Sequence, residues 1–427
     1  MQCELKTNLE PNGLGVVVGG GASGLAAAKL LTKLGLRVRL LEKKERPDLA
    51  LTAAEHGWEI QFGEHHAAQF EGASVIVPSP GLALARLLTF IPAGMEAMVM
   101  GEMELAYRQV NEPIIAITGT SGKTTTASIC AAMLEAGGKK VFLGGNIGTP
   151  LSEYVLAGQK ADVLVLEISS FQLQTCSTFH PRVAMLLNLS ENHLDYHADM
   201  QEYEDAKFNL FRCQNESDYA IFSSGMASSP RLDAIEAQKV FFKPGNDFEE
   251  TSLFGEHNQA NLAAAWQAAL LFGVGLDDAR RAAKEFKAIE HRLEMVGEKK
   301  GVLFVNDSKS TTVESLRVAL TAMSRPVLLL AGGVFKGGDL ASLAPLIREK
   351  VKAIGLFGAS REIFEPAWGS LAPITWSETM QEAVNKLMTG AAPGDVMLLS
   401  PATASFDLYA NYKARGNEFK RIWENLQ

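Results

Sequence analysis

The chain has 427 residues, 47% of them hydrophobic and 21% charged, which excludes general disorder and leaves room for several domains with large cores. Its 40 basic against 49 acidic residues give a net charge of −9 with no dense basic run, which argues against nucleic acid and anionic membrane as partners. Cys3, Cys130, Cys176 and Cys213 lack Cys-x-x-Cys spacing, so neither a zinc ribbon nor a disulfide framework is implied, and a cytoplasmic location is expected.

The start, MQCELKTNLEPNG, has no basic region followed by a hydrophobic one, so no secretory signal is expected. Gly13 to Ala28 is uncharged, but its glycines and the following Lys29 suit strand, turn and helix better than a membrane span. Leu14 to Val18 reads as a strand, Gly19-Gly-Gly-Ala-Ser-Gly24 as a glycine turn, and the residues through Leu34 as a helix. A second strand, Arg37 to Leu41, ends at Glu42, so this is a nucleotide-binding βαβ pattern in which the turn holds a diphosphate and the acid meets a ribose or base. Alone, it suggests NAD or FAD, or a glycine turn used only for close packing. Ser74 to Val77 forms a further strand before the turn Pro78-Ser-Pro-Gly81.

A helix over Glu102–Arg108 leads into Ile114-Ile-Ala-Ile-Thr-Gly-Thr-Ser-Gly-Lys-Thr-Thr-Thr126, a buried strand, a glycine turn and a helix expected from Ala127 to Leu134. Successive N–H groups and a helix N-terminus make such a turn a phosphate cradle, where Lys123 reaches terminal phosphates and the Thr124 hydroxyl ligates magnesium. Ile117 stands where the usual phosphate loop has its first glycine, so the motif is a shortened Gly-x-x-Gly-Lys-Thr. Strands over Val141–Gly144, Val163–Ile168 and Val183–Asn188 follow, and parallel sheets gather ligands at their carboxyl ends, so Asn146, Glu167 and Lys123 should converge. His193 and His197 are four apart, but Leu194 stands where the helical zinc signature needs Glu, and zinc is set aside.

Lys207 falls in a helix over Gln201–Arg212, where a solvated lysine is the default. Asn258 and Asn261 are three apart on one helical face, able to read a purine edge unless Asn258 merely caps the helix. A second boundary is placed at Ile289-Glu-His-Arg-Leu-Glu294. The last part again alternates, with strands at Val302–Val305, Val327–Leu330, Ala353–Phe357 and Val396–Leu399. Lys309, Lys336 and Ser405 follow three of them and suit a carboxylated substrate or a phosphoryl group.

Together, the stretches ITGTSGKTTT, GGNIGTPL, LEISSFQL, NLSENHLDYH, GEHNQANLAAA, HRLE, NDSKSTT, AGGVFKGGDL and LSPATASFDLYANYKARGNEF resemble the Mur ligase family of ATP-dependent amino-acid ligases, within it the branch that adds D-glutamate. The resemblance implies three α/β domains: a Rossmann-like UDP-substrate domain over 1–101, a central parallel-sheet ATPase domain over 102–288 and a Rossmann-like amino-acid domain over 289–427. It implies that Gly19, Ala22, Ser23 and Gly24 hold the UDP phosphates, that Glu42, where Asp is common, faces uridine, and that Asn146 contacts the same substrate. Gly119, Thr120, Ser121, Gly122, Lys123, Thr124 and Thr125 would bind ATP with magnesium, Asn258 and Asn261 the adenine, and Arg292 and Asp307 the far side of the ATP site.

Glu167 and His193 would be metal-proximal, with His193 a candidate base or positioner for the amine. Lys207 would be carbamylated and help hold a second magnesium ion. Lys309, Thr311, Lys336, Ser405, Phe406 and Tyr412, the last often Phe in the family, would form the D-glutamate subsite. A monomer that joins D-glutamate to UDP-N-acetylmuramoyl-L-alanine through an acyl phosphate is expected, in peptidoglycan precursor synthesis. The alternatives are a ligase for another amino acid, a folylpolyglutamate-type enzyme, a flavin or nicotinamide oxidoreductase using Gly19–Gly24, and a nucleotide-gated binding protein.

Overall fold

The computed structural model describes residues 9–193 and 196–426; Cys3 and Leu194, used in the sequence argument, lie outside the described residues. Among the described residues the chain is α/β and carries three sheets. It divides into two compact units, one running to Phe248 and including Ala260–Ala283, the other formed by Glu249–Gln259 and the chain from Lys284 onward.

The first unit holds two sheets. The N-terminal one consists of β1 (Leu14–Val18), β2 (Arg37–Glu42), β3 (Glu59–Phe62) and β4 (Ala73–Pro78), all parallel in the order β3-β2-β1-β4. The central one consists of β5 (Ile114–Thr118), β6 (Val141–Gly145), β7 (Val163–Glu167), β8 (Val183–Leu186), β9 (Tyr219–Ser223) and β10 (Gln238–Phe242), parallel in the order β10-β9-β8-β5-β7-β6. Every residue of β1, β5, β7 and β8 is buried, as their apolar runs, closed in β5 and β7 by Thr118 and Glu167, require of strands covered on both faces.

The two sheets share one apolar core. Ala27, Leu30 and Leu31 of helix Ala22–Lys33, Met103 and Leu105 of helix Glu102–Tyr107 and Leu151 and Tyr154 of helix Leu151–Ala157 belong to the same cluster as Ala116, Leu164 and Leu186 of the central strands. Lys29 pairs with Glu153 at 3.2 Å at its edge. Among the described residues no helix is long and apolar enough to cross a membrane, and Gly13 to Ala28 is strand, turn and helix as expected.

The second unit holds β11 (Glu294–Lys299), β12 (Val302–Asn306), β13 (Val327–Ala331), β14 (Val351–Phe357), β15 (Ile374–Ser377) and β16 (Val396–Leu399) in the order β11-β12-β16-β13-β14-β15. Only β11 is antiparallel. Helices cover both faces: Val313–Ala322 and Arg361–Trp368 lie over one core, Met380–Thr389 and Tyr412–Asn425 over the other. Side-chain caps set several helix starts, Asp199 accepting from Glu202 N at 2.9 Å and Asn411 from Ala414 N at 3.0 Å.

Several expectations need correction. The helix after the glycine turn starts at Lys123 rather than Ala127, which places Lys123 and Thr124 in its first turn. The helix read over Gln201–Arg212 is α-helical over Met200–Phe208 and tightens to a 3₁₀ turn at Asn209–Phe211. Asn258 is not a helix cap, because the helix begins at Glu256. Cys130 and Cys176 are free and buried.

Candidate active site

β5 lies between β7 and β8, so the loop that leaves its carboxyl end is flanked by the ends of both. Gly119 has φ +153° and Gly122 φ +83°, and a Cβ on Gly122 would stand 2.5 Å from Asn261 Oδ1. The sequence therefore needs glycine there both for its conformation and for the approach of helix Glu256–Leu271. The loop is clamped from outside. Asn188 accepts from Ser121 N at 2.9 Å and donates to Ser121 O at 3.1 Å, while Thr120 Oγ1 donates to Ser190 O at 3.1 Å and lies 3.1 Å from the Tyr203 hydroxyl. Thr126 Oγ1 donates to Asn261 Oδ1 at 3.1 Å, so the Asn261 amide braces the loop helix. Thr124 and Thr125 are half-buried in that helix's first turn.

Two amines converge on one carbonyl. Lys123 Nζ donates to Gly119 O at 2.9 Å and to Thr120 O at 3.0 Å, and Lys207 Nζ donates to the same Gly119 O at 2.9 Å. Lys207 is buried and its amine stands 4.5 Å from the Tyr203 ring centroid. The default of a solvated lysine fails here. Desolvation, reinforced by the charge on Lys123 and opposed by Glu167, brings its pKa down to about 6, so near neutral pH it is largely a free amine.

Glu167, at the end of β7, is buried. Its Oε1 accepts from Asn146 Nδ2 at 2.7 Å, and its backbone carbonyl accepts from Asn146 N at 2.8 Å. Its other carboxylate oxygen, Oε2, is buried with no hydrogen-bond partner among the described residues. An unmatched buried oxygen of this kind suits a divalent cation, which takes hard oxygen ligands and retains waters and substrate phosphates around them. Among the described residues there is no cluster of three His, Cys, Asp or Glu side chains able to hold a metal alone. A magnesium ion here would therefore rest on Glu167, the Thr124 hydroxyl and the phosphates it arrives with.

His193 is exposed, with φ +58°, and its ring meets Phe171 edge-on at 4.9 Å and lies 6.3 Å from Tyr203. It is thus linked to the phosphate loop through Tyr203. His197 is buried against Ser170 Oγ at 3.0 Å and belongs to the packing. Asn146, by contrast, is exposed at the β6 end.

In the N-terminal sheet, Gly19 (φ +100°) turns the chain, a side chain on Gly24 would run into the Gly19 carbonyl, and Ala22 and Ser23 start the following helix. Glu42 Oε2 accepts from Gly20 N at 2.9 Å. Burial opposes its ionisation, but the N–H groups of Gly20, Lys44 and Lys43, with Arg46 nearby, outweigh that and hold its carboxyl below the usual range.

In the second unit, Asn258 Nδ2 donates to Phe254 O at 2.7 Å. Asp307, after β12, accepts from Leu293 N at 3.2 Å and from Ser400 Oγ at 2.9 Å. Burial raises its pKa to about 7 against the pull of these donors and of neighbouring Arg292. Lys309 N donates to His291 O at 3.0 Å, and Lys309 Nζ stands 5.3 Å from the Tyr412 ring centroid. Lys336 and Phe406 are exposed, Thr311 and Tyr412 half-buried and Ser405 buried. The ends of β12, β13 and β16 thus carry the expected polar set on one edge. Asn188 and Tyr203, which grip the phosphate loop, and Arg415, buried beneath the loops after β12, β13 and β16, were not singled out from sequence. All three sit in or just beyond stretches that carry the family resemblance.

Residues 117–242 match the Mur ligase middle domain, residues 291–403 the Mur ligase glutamate ligase domain, and residues 17–73 an NAD(P)-binding Rossmann-like domain. A UDP-N-acetylmuramoylalanine–D-glutamate ligase of Nitratidesulfovibrio vulgaris (strain DP4) is 57% identical over 99% of both chains. A ligase of the same name from Salinibacter ruber is 40% identical over 96% of this chain and 97% of its own. Among solved structures, the MurF ligase of Thermotoga maritima in complex with ADP aligns with a TM-score of 0.59 at 18% identity, covering 91% of this chain and 93% of that one, a likeness of fold. With relatives this close matched nearly end to end, the chain belongs to the Mur ligase family.

Proposed function

We propose that this chain is the ATP-dependent ligase that joins D-glutamate to UDP-N-acetylmuramoyl-L-alanine in the synthesis of peptidoglycan precursors. The observation that carries the reading is a phosphate loop with Lys123, Lys207 and a half-unmatched Glu167 at its mouth, in a chain 57% identical end to end to ligases of that name. We assign its three parts to 1–101 for the UDP substrate, 102–288 for ATP and 289–427 for the amino acid. The Rossmann-like match is then met by UDP, which presents the same nucleoside diphosphate chemistry as half a dinucleotide.

A carboxylate resists attack by an amine because its oxygen is a poor leaving group. The L-alanyl carboxylate therefore takes the γ-phosphoryl group of ATP, giving an acyl phosphate and ADP. The D-glutamate amine adds to the acyl carbon, the tetrahedral intermediate expels phosphate, and the amine proton passes to a base. Lys123 and the N–H groups of Gly122–Thr124, at the start of the loop helix, hold the transferring phosphoryl group and offset its charge. Magnesium supplies electrostatic neutralisation of the phosphates when bound, through Glu167 and Thr124.

Lys207 as an ammonium would repel a cation. As a free amine it can add to CO2 and lose a proton, and the carbamate so formed is an anionic oxygen ligand, which suits a second ion. His193 serves as positioner or base for the amine, Asn258 and Asn261 border adenine, and Arg292 and Asp307 complete the ATP site. Lys309, Thr311, Lys336, Ser405, Phe406 and Tyr412 receive D-glutamate. The enzyme works as a cytoplasmic monomer. Phosphate release measured with ATP and UDP-N-acetylmuramoyl-L-alanine across a panel of amino acids tests the reading: turnover should require D-glutamate, and turnover without it, or preference for another amino acid, overturns it.

A further inference from the structure

Arg415 lies in the first turn of helix Tyr412–Asn425 and is fully buried. Its donors are spent on neutral groups of three separate loops. Nε donates to Ser308 Oγ at 3.0 Å, Nη2 to Ser308 O at 2.8 Å and Thr403 O at 3.0 Å, and Nη1 to Gly332 O and Thr403 Oγ1, both at 3.4 Å. Among the described residues no carboxylate comes within ion-pair reach; Asp407 and Asp307 act on it only at longer range. Burying a guanidinium without a carboxylate is costly, and here only the full fork of N–H groups offsets the desolvation.

The three loops it ties are those that leave β12, β13 and β16, and they carry Lys309 and Thr311, Lys336, and Ser405 in turn. Other bonds pull the same loops together. Thr403 Oγ1 donates to Gly332 O at 2.6 Å, Val334 N to Ala404 O at 2.8 Å, and Ser308 Oγ to Tyr412 O at 2.8 Å. Space is tight at the junction, since a Cβ on Gly333 would approach Arg415 Nη1 to 3.1 Å.

We infer that Arg415 is a positioning residue that sets the spacing between these loops, and through it the geometry of the subsite for the dicarboxylate amino acid. The inference rests on the reading of that strand-end edge as the amino-acid site. Lysine keeps the charge but presents one nitrogen, which cannot span acceptors in three loops. Arg415→Lys should therefore raise the KM for D-glutamate by about tenfold or more and leave those for ATP and UDP-N-acetylmuramoyl-L-alanine within about twofold.

A role in stability alone would lower Tm and the amount of active enzyme without moving that one KM, and an unchanged D-glutamate KM overturns the inference. If Arg415→Lys fails to fold, Thr403→Val keeps the buried shape and removes one hydroxyl of the junction. It should shift the D-glutamate KM the same way by about threefold, and no shift overturns the inference. Wild-type dependence on D-glutamate is read first. Its failure sinks the assigned substrate, and the brace is then judged on the KM for whichever amino acid the wild type uses.

Discussion

Lys123 and Lys207 donate to the same Gly119 carbonyl, Lys123 from a half-buried position and Lys207 from a buried one. Burial, reinforced by the charge on Lys123, brings the Lys207 pKa down to about 6. Lys123→Ala should lower kcat by about 10²–10³-fold or more, as expected when a main electrostatic contact to a transferring group is lost, with acyl-phosphate trapping as the check. A free amine at Lys207 predicts a carbamate signal after exposure to ¹³C-bicarbonate, seen by NMR and absent in Lys207→Arg.

Asp307 gives a prediction in pH. Its folded pKa, about 7, lies above its ordinary value of 3.8, so between these values the folded state retains a proton that the unfolded chain has lost. Stability should fall as pH rises from about 4 to about 7, and level off above. Asp307→Asn, which can still accept from Leu293 N, should flatten that part of a Tm profile.

At the scale of elements, the site depends on a helix start placed by two glycines and one asparagine. Gly122→Ala would force a strained φ and drive a methyl toward Asn261, and should cost about 1–3 kcal/mol in unfolding free energy with a raised KM for ATP. An unchanged Tm would contradict the packing described.

The central strands β5, β7, β8 and β13 were legible because each contains a run of at least four consecutive apolar residues. The unread strands lie mostly at sheet edges. β3, β10 and β15 are short or half exposed, and β11, Glu-Met-Val-Gly-Glu-Lys, is too charged to signal a strand and pairs antiparallel just after the expected boundary. Of the site, Lys123 could be read because loop, strand and helix are contiguous. The Arg415 junction could not, since it joins Ser308 and Arg415 across 107 positions and arginine in a polar helix otherwise reads as solvated.

Across the whole molecule, the proposed function divides labour among strand-end loops. The glycine loop of the first sheet would offer N–H groups to a diphosphate in the proposed function, and Glu42, which accepts from Gly20 N, shapes that loop in advance. The central sheet supplies the phosphate loop and the half-matched Glu167. The third sheet supplies lysines and hydroxyls suited to a dicarboxylate. What joins these parts chemically is the acyl phosphate. The most direct test is to run the ligation with both carboxylate oxygens of UDP-N-acetylmuramoyl-L-alanine labelled with ¹⁸O and to weigh the phosphate released. Transfer of one labelled oxygen to phosphate in each turnover is the predicted result; unlabelled phosphate alongside completed ligation would contradict the account.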